Sequence, residues 1–420
     1  MSPTSNSEER TFATLTQKFD ALTTQATRLA EDIEGLGVCD DLDGNSPDQS
    51  LLPLEAWKAA QRLSSALDRL QTRIVPPATY LSQLTGAFVE SKAIYALCKY
   101  GVADALQDGP LHLNELAQKV NARPEILDTL LRTIIRAGLF KETEVGSKIY
   151  ANNRISDFLR ANHPRSQLPW VGYWSGTNYN VFTKFDLALD PNQQRTAFRE
   201  YYNTDDCIYE FLEKPENLHM VKELAEGLAS LSQLTNTGLV EDYDWTRHNG
   251  KTVTDVGGGV GQFIRFLLHN RPELRGQLFD RETVINQAKQ IWDANYPELL
   301  ERITFHCGDF QKSVCPGADV YFVRWVVADW ADSEVIQLLK NIRAVIPPNG
   351  TLLISEIILP QNAELSDRLA AQVTLFLRVF NGDKERSQEE LSNLLECSGF
   401  KVRKVWQIRA IMSIVEAVPV

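Results

Sequence analysis

The sequence has few cysteines, and no two of them are spaced as a CxxC pair. Paired cysteines at that spacing are typical of zinc and redox sites, so we predict no bound metal. Scattered thiols are typical of a reducing compartment such as the cytoplasm, where we expect this protein. The six cysteines are Cys39, Cys98, Cys207, Cys307, Cys315 and Cys397.

Long apolar runs and excess positive charge are also absent. No stretch of about 18 apolar residues occurs, so we expect no membrane span. The first ten residues are polar and acidic, which does not favour a secretory signal. The formal net charge of −12 argues against a nucleic-acid surface.

Length and composition are those of a globular protein with more than one domain. The chain has 420 residues, of which 43% are hydrophobic and 23% charged. We divide it into N-terminal helices, a winged-helix-like domain, a helical segment that lines a substrate pocket, and a C-terminal α/β domain. The predicted bounds are 1–80, 81–165, 166–245 and 246–420.

A regular apolar seam runs through residues 12–33, in steps of three and four. This spacing predicts a helix that either packs against a second copy or lies on its own domain. The seam consists of Phe12, Leu15, Phe19, Leu22, Ala26, Leu29 and Ile33. A polar loop is predicted from Cys39 to Pro53, followed by a helix from Leu54 to Ile74 that ends before Pro76-Pro77.

Residues 85–160 have the pattern of a winged helix. Helices are predicted over Phe88–Tyr100, Leu113–Val120 and Arg123–Ala137, with Gly138 ending the last of them. The segment 139–150 would form the wing. The third helix carries acidic as well as basic residues, so we do not predict DNA binding.

Aromatic residues are dense between positions 165 and 245. They predict an apolar pocket wall, although simple core packing explains many of them equally well. The set is Trp170, Tyr173, Trp174, Tyr179, Phe182, Phe185, Phe198, Tyr201, Tyr202, Tyr209 and Phe211.

Strands and helices alternate from Lys251 onward. This alternation predicts a doubly wound α/β domain of the Rossmann type. The candidate strands are Thr252–Val256, Gln277–Phe279, Ile303–His306, Asp319–Val323, Thr351–Ile357, Lys401–Trp406 and Ile411–Val418.

The first of these strands leads directly into a glycine-rich turn, DVGGGVG at 255–261. Glycines allow positive φ and let a ligand approach the backbone. The acid at Asp255 favours a cationic amino-acid cofactor over a dinucleotide. Asp280 at the end of the second strand suits ribose hydroxyls, or alternatively caps a helix, and Gly308-Asp309-Phe310 follows the third strand.

On these motifs the chain resembles the plant and fungal small-molecule O-methyltransferase family of class I methyltransferases. The resemblance spans about residues 85–418 and includes FDRETVI at 279–285, DWAD at 329–332 and KERSQEELSNLLECSGF at 384–400. It implies S-adenosylmethionine or S-adenosylhomocysteine as cofactor, and a homodimer with exchanged N-terminal helices. The cofactor-binding residues predicted on this basis are Asp255, Gly257, Gly259, Asp280, Arg281, Gly308, Asp309, Phe310 and Arg324. Glu282 stands where the family usually has proline, which affects local loop shape.

One residue of the family pattern is missing. The family has a histidine immediately before the Asp-Trp pair, where it takes the proton of the hydroxyl that is methylated. Here that position is Ala328. The two carboxylates that flank the histidine in the family match Glu356 and Glu385, although Glu385 could also form a surface ion pair.

Three hypotheses follow. A fungal branch that resembles this family lacks the histidine and catalyses dehydration or pericyclic ring closure of polyketide–amino-acid hybrids such as pyridones, and we favour that function. An ordinary O-methyltransferase acting on a secondary metabolite is the alternative, with an acidic substrate or with Glu356 or Glu385 as base. A catalytically inactive regulatory protein is the third. The predicted catalytic residues are Arg324, Asp329, Glu356, Glu385 and Met412, with Trp330 and the aromatics of 170–211 shaping the cavity. For Met412, core packing is the simpler alternative.

Overall fold

The computed structural model describes residues 4–35, 53–193, 195–212, 214–360, 362, 367–382 and 384–420. The chain divides into two compact units, Met1–Gln61 and Arg62–Val420. The helices are α1 (Thr4–Gly35), α2 (Leu54–Ile74), α3 (Pro77–Lys99), α4 (Val102–Ala105), α5 (Leu113–Lys119), α6 (Pro124–Arg136), α7 (Leu168–Gly172), α8 (Ala197–Tyr202), α9 (Ile208–Leu212), α10 (Leu218–Glu241), α11 (Gln262–Asn270), α12 (Glu282–Asn295), α13 (Asp332–Val345), α14 (Arg368–Asn381) and α15 (Gln388–Cys397).

The strands fall into three sheets. They are β1 (Leu111–His112), β2 (Lys141–Glu142), β3 (Ile149–Ala151), β4 (Thr252–Val256), β5 (Arg275–Asp280), β6 (Ile303–Cys307), β7 (Val320–Arg324), β8 (Thr351–Glu356), β9 (Ile358–Leu359), β10 (Arg386–Ser387), β11 (Phe400–Gln407) and β12 (Ser413–Pro419).

The first unit contains α1, and the helix predicted from the apolar seam is confirmed. Its side chains Phe19, Leu22 and Leu29 are exposed. The side chains of Phe12, Leu15 and Ile33, and the loop predicted from Cys39 up to residue 52, lie outside the described residues.

The second unit begins with a winged-helix-like region. Helix α6 buries Leu127, Leu131 and Ile134 at helical spacing. The wing is a small antiparallel sheet in the order β1-β3-β2. The predicted helix at Phe88 begins earlier, at Pro77, because proline is tolerated in the first turn of a helix.

The C-terminal part is a doubly wound sheet, as predicted. Among the described residues, seven strands follow the order β11-β12-β8-β7-β4-β5-β6. All neighbours are parallel except β12, which runs antiparallel to β8 and β11. The chain proceeds from β4 to β6 on one side and returns to β7 on the other. The edge between β4 and β7 is therefore the switch point where such folds bind ligands.

The sheet is buried on both faces, as strand β7 illustrates. Val320 and Phe322 pack into the core on one face, while Tyr321 and Val323 pack into the core on the other. This period of two requires apolar residues at every position of a central strand. Strand β7 therefore holds Arg324, its last residue, rigidly at the switch point.

The segment before the sheet carries the aromatic residues. It contains a π-helix, Tyr173–Thr177, and a 3₁₀-helical stretch, Asn178–Leu189. Its side chains pack against Phe376 and Phe380 of α14. Searched over its described residues, the chain has no helix that is long and apolar enough to span a bilayer.

Candidate active site

A glycine turn leaves strand β4 at the switch point. Gly257, Gly259 and Gly261 have φ of +69°, +59° and +83°, conformations that side chains rarely adopt. A Cβ on Gly257 would lie 2.8 Å from Val326 Cγ2, whereas a Cβ on Gly259 would meet nothing within 4 Å. The turn is therefore tight against the loop after β7 and leaves backbone open at Gly259.

Asp280 joins this turn to the end of strand β5. Its Oδ2 accepts a hydrogen bond from the Gly259 amide at 2.8 Å, and its Oδ1 accepts one from the Arg281 amide at 2.7 Å. Burial raises the pKa of Asp280. The alternative that Asp280 caps helix α12 is wrong, because the N-cap position is Arg281. Arg281 itself lies with its side chain exposed and contributes its amide.

Asp255 is the acid at the end of strand β4. It is 2% exposed, and its Oδ2 has no hydrogen-bond partner among the described residues. Burial raises the pKa of Asp255 to about 7, while Arg324 opposes the rise. A buried carboxylate oxygen without a partner requires a donor from a ligand or water. A cationic ammonium group meets that requirement.

The third strand supplies the remaining wall. A Cβ on Gly308 would lie 2.6 Å from Phe279 Cζ, so this position accommodates only glycine. Asp309 holds its own turn through Gln311, whose amide donates to Asp309 Oδ1 at 2.9 Å. Phe310 stands edge-on to Trp330, with ring centroids 5.5 Å apart, and its Cε1 lies 3.6 Å from the ideal Cβ position of Gly257.

Arg324 binds helix α10, which no sequence pattern placed beside it. Its guanidinium donates to Asn236 at 2.6 Å and to Ser232 and Thr235 at 3.0 Å, all on α10. Burial lowers the pKa of Arg324 to about 10. These partners are 88 to 92 positions away in sequence, so spacing could not reveal them. A cofactor contact of Arg324 stays a prediction.

Ala328 is the residue that the family resemblance places at the position of the histidine. Its side chain is 4% exposed, at the wall of a small cavity shared with Glu356, Ile357 and Glu385. No histidine belongs to the described residues that line this cavity.

Glu356 and Glu385, the two predicted flanking carboxylates, line the same cavity as Ala328. Glu356 Oε1 accepts the amides of Val326 at 3.0 Å and Val327 at 2.9 Å. Burial, with a contribution from Asp329, raises the pKa of Glu356 to about 8. Burial also raises the pKa of Glu385, whose Oε1 has no partner among the described residues. The site therefore contains two buried carboxyl groups that hold protons unusually well.

Met412, the last of the predicted catalytic residues, lies in the core. It is 2% exposed, and Ser355 Oγ donates to its sulfur at 3.2 Å, as the core-packing alternative expected.

Trp325 has φ of +53°, which is strained for an aromatic residue and marks the turn into the loop that carries Ala328 and Asp329. No sequence signal indicated this strain.

The fold and the pocket define a class I methyltransferase with an N-terminal dimerisation domain. The O-methyltransferase domain model matches residues 187–401, and the O-methyltransferase dimerisation domain model matches residues 82–162. The chain belongs to the O-methyltransferase family.

Individual relatives agree with this assignment. The O-methyltransferase sirM of Leptosphaeria maculans is 30% identical over 364 residues, which cover 84% of this chain and 86% of that protein. The crystal structure of LaPhzM is 30% identical, has a TM-score of 0.71, and covers 82% of this chain and all 100% of its own. Human N-acetylserotonin methyltransferase in complex with SAM shares the fold, with 24% identity, a TM-score of 0.72, and coverage of 82% and 99%.

The residues of this site fit S-adenosylmethionine, the cofactor that the family resemblance implies. The unpartnered Asp255 Oδ2 suits the ammonium of the amino-acid moiety. Open backbone at Gly259 and the carboxylate of Asp280 suit the nucleoside side. No group of three or more His, Cys, Asp or Glu in the described ranges could hold a metal ion.

Proposed function

We propose that the chain is a cofactor-binding cyclase of secondary metabolism that closes a ring in a small polyketide–amino-acid intermediate. The observation that carries this proposal is Ala328, a buried methyl group at the position of the family's base. A neutral hydroxyl is a poor nucleophile without a base to take its proton. Removal of that base leaves a binding pocket whose most direct use is a reaction that requires no net proton removal.

A hetero-Diels–Alder closure is such a reaction. A quinone-methide oxygen and its terminal carbon each bond to one carbon of an alkene. Two σ bonds form, three π bonds become one, and no proton or electron enters or leaves. The protein therefore has to fold a flexible substrate and stabilise negative charge that develops on a carbonyl oxygen.

The residues of the pocket support these tasks. S-adenosylmethionine, when bound, would supply a fixed sulfonium charge. Trp174 packs on Phe376 with ring centroids 4.6 Å apart, and it also packs against the apolar cluster that contains Ile357 of the cavity wall. Asp329 raises the pKa of Glu356 from the side of the Ala328 loop, which shows that these groups are close. Arg324 is the remaining polar candidate, acting from the end of strand β7, where it donates to side chains of α10.

An O-methyltransferase is the second candidate function, and Glu385 favours it. A buried carboxylate with a free oxygen and a raised pKa can act as a general base. The relatives sirM and LaPhzM belong to the same family, which also supports this alternative.

The experiment uses labelled S-adenosylmethionine with a panel of phenols and hydroxypyridones. We expect tight cofactor binding by calorimetry and no transfer of label. Robust transfer to any acceptor would establish the second candidate and refute the cyclase. Cofactor binding without transfer, and without consumption of quinone-methide test substrates generated in the same mixture, would indicate a regulatory protein.

We propose further that the protein is a homodimer with exchanged N-terminal helices. The family's dimerisation domain covers residues 82–162. Large apolar side chains are exposed on α3 at Leu81, Leu84, Phe88 and Val89. A contiguous apolar helix face of this kind is typical of a surface that a second copy covers.

A further inference from the structure

Glu385 is a buried carboxyl group with an oxygen that bonds to nothing described in the structure. The residue is 5% exposed, and Oε1 is fully buried without a hydrogen-bond partner. A buried polar oxygen left in this state costs stability, so it is retained where it has a use. The cavity beside Ala328 is the space that this residue lines.

The backbone fixes Glu385 at this place. Strand β10 pairs in parallel with β9, with Arg386 opposite Ile358, which sets Glu385 beside the end of β8 and therefore beside Glu356. The amide of Lys384 donates to the carbonyl oxygen of Ala328 at 2.8 Å. Main-chain hydrogen bonds on both sides of Glu385 therefore hold it beside Ala328, the position of the family's histidine.

The neighbouring charges do not neutralise Glu385. Lys384 Nζ binds Asp332 Oδ2 at 2.9 Å, and Arg386 binds Asp332 Oδ1 at 2.7 Å, so both sequence neighbours are directed to another acid. Arg378 of α14 and Arg386 lower the pKa of Glu385, whereas Asp329 and burial raise it, with burial the largest effect. Glu356, the other acid of the cavity, is itself buried with a raised pKa.

We propose that Glu385 is a catalytic residue that acts as a neutral carboxylic acid and donates a hydrogen bond to a carbonyl oxygen of the substrate. The proposal rests on the proposed ring closure for its chemistry and names the substrate class, a carbonyl-bearing ring such as a pyridone. The proton stays on Glu385 throughout, since the closure neither gains nor loses one.

Two features of the site support a donor rather than a base. Burial favours the protonated form of a carboxyl group because the charged form loses its hydration. The proton on Oε1 then has a hydrogen bond to offer, and no described protein group takes it. A donor aimed at developing negative charge in a dry pocket stabilises the transition state.

The decisive variant is Glu385→Gln, because an amide keeps the shape and the donor but cannot ionise. The probe is 4-methoxy-1-methyl-2-pyridone, whose carbonyl accepts a hydrogen bond and which has no group that titrates near neutral pH. We expect Glu385→Gln to bind the probe as the native chain does at low pH, and Glu385→Leu to bind it about tenfold more weakly. Exposed Glu389→Gln is the matched control and should change nothing.

The pH dependence distinguishes a donor from a merely structural residue. Native affinity for the probe should fall as pH rises through the raised pKa of Glu385, whereas Glu385→Gln should bind independently of pH. Infrared difference spectra should show the carbonyl stretch of a protonated carboxyl group that disappears in Glu385→Gln. Ala328→His should remove that band as well, because an imidazolium would ionise Glu385.

Failure of the Glu385 proposal can be distinguished from failure of the proposed function. A difference spectrum between the native chain and Glu385→Gln that contains no protonated-carboxyl band, or a folded Glu385→Gln chain that loses probe binding as Glu385→Leu does, would overturn the proposal. Neither measurement needs ring closure or methyl transfer to occur. Label transfer from S-adenosylmethionine by the native chain would refute the cyclase and leave the infrared result to be judged separately.

Discussion

Arg386 donates from Nη1 to the carbonyl oxygen of Val327 at 2.6 Å and so holds the loop that carries Ala328. The same guanidinium donates to the carbonyl oxygen of Trp330 at 2.8 Å and to Asp332 at 2.7 Å. A planar group with five donors satisfies several carbonyls at once, which lysine cannot do. The loop that carries Ala328 is therefore held by one side chain from strand β10.

Replacing Arg386 should destabilise the chain. We expect Arg386→Gln to lower the free energy of unfolding by about 3 kcal/mol, because it is 3% exposed and its loss leaves buried carbonyls unpaired. Denaturant titration measures the change. Arg368→Gln at the exposed start of α14 is the control and should stay within about 0.5 kcal/mol. A loss no larger than in the control would contradict this account of the loop.

Gly257→Ala should weaken cofactor binding and stability together. Its φ of +69° disfavours a side chain, and the new Cβ would lie 2.8 Å from Val326 Cγ2. Gly250 has φ of +77°, but a Cβ there would meet nothing within 4 Å. Gly250→Ala therefore measures the free-energy cost of the backbone conformation alone, about 1 kcal/mol. Calorimetry with S-adenosylmethionine should show a larger loss for Gly257→Ala. Equal affinities in the two variants would show that the contact with Val326 is unimportant.

Ala328→His restores the family's base between Glu356 and Glu385. If the rest of the pocket can still accept a hydroxyl, transfer of label to phenols should rise by about 100-fold over the native chain. The control Ala331→His puts an imidazole on an exposed position of the same loop and should leave transfer at the native level. High transfer by the native chain, with no gain in Ala328→His, would mean that another group already serves as base.

The raised pKa of Glu356 makes the free energy of unfolding fall as pH rises. Its pKa is raised from 4.5 to about 8, by burial first and then by Asp329. The folded state keeps this proton to a higher pH than the unfolded chain, so its contribution to stability is complete below about pH 4.5 and is lost as pH rises to about 8. The free energy of unfolding should therefore fall more steeply between about pH 5 and 8 in the native chain than in Glu356→Gln.

The comparison has a control and a competing effect. Glu396→Gln at an exposed position should leave the native slope unchanged. Hydrogen bonds from Lys384 and Arg386 lower the pKa of Asp332, and this acts with opposite sign at lower pH. Identical slopes for Glu356→Gln and the native chain would show that Glu356 is ionised throughout.

The proposed dimer predicts that the sedimenting species becomes smaller when an apolar residue of α3 is replaced by a polar one. Phe88→Ser should shift the species seen in sedimentation toward the monomer, because its 55% exposed ring is expected in the subunit interface. Val145→Ser, at a fully exposed position of the wing, is the control and should sediment as the native chain. A native chain that already sediments as a monomer would refute the dimer.

Local patterns in the sequence determined most of the fold and the cofactor turn. The strand from Thr252 to Val256 and the glycines after it were correctly predicted, because a buried parallel strand and a positive-φ turn each restrict residue type locally. The carboxyl ends of parallel strands share one edge, so Asp255 and Asp280 could be placed together from topology alone. The interpretation of Ala328 as the position of a missing base comes from a sequence motif alone and stays a prediction.

The tertiary structure decided which side chains have partners. Arg324 binds Asn236 on a helix 88 residues away, and Asp332 rather than Glu385 takes the ionic contact with Arg386. Whether a buried carboxyl group such as Glu385 is paired depends on distances of a few ångströms between segments far apart in sequence. Periodicity and composition contain no such distances, because they record only which residues follow one another along the chain.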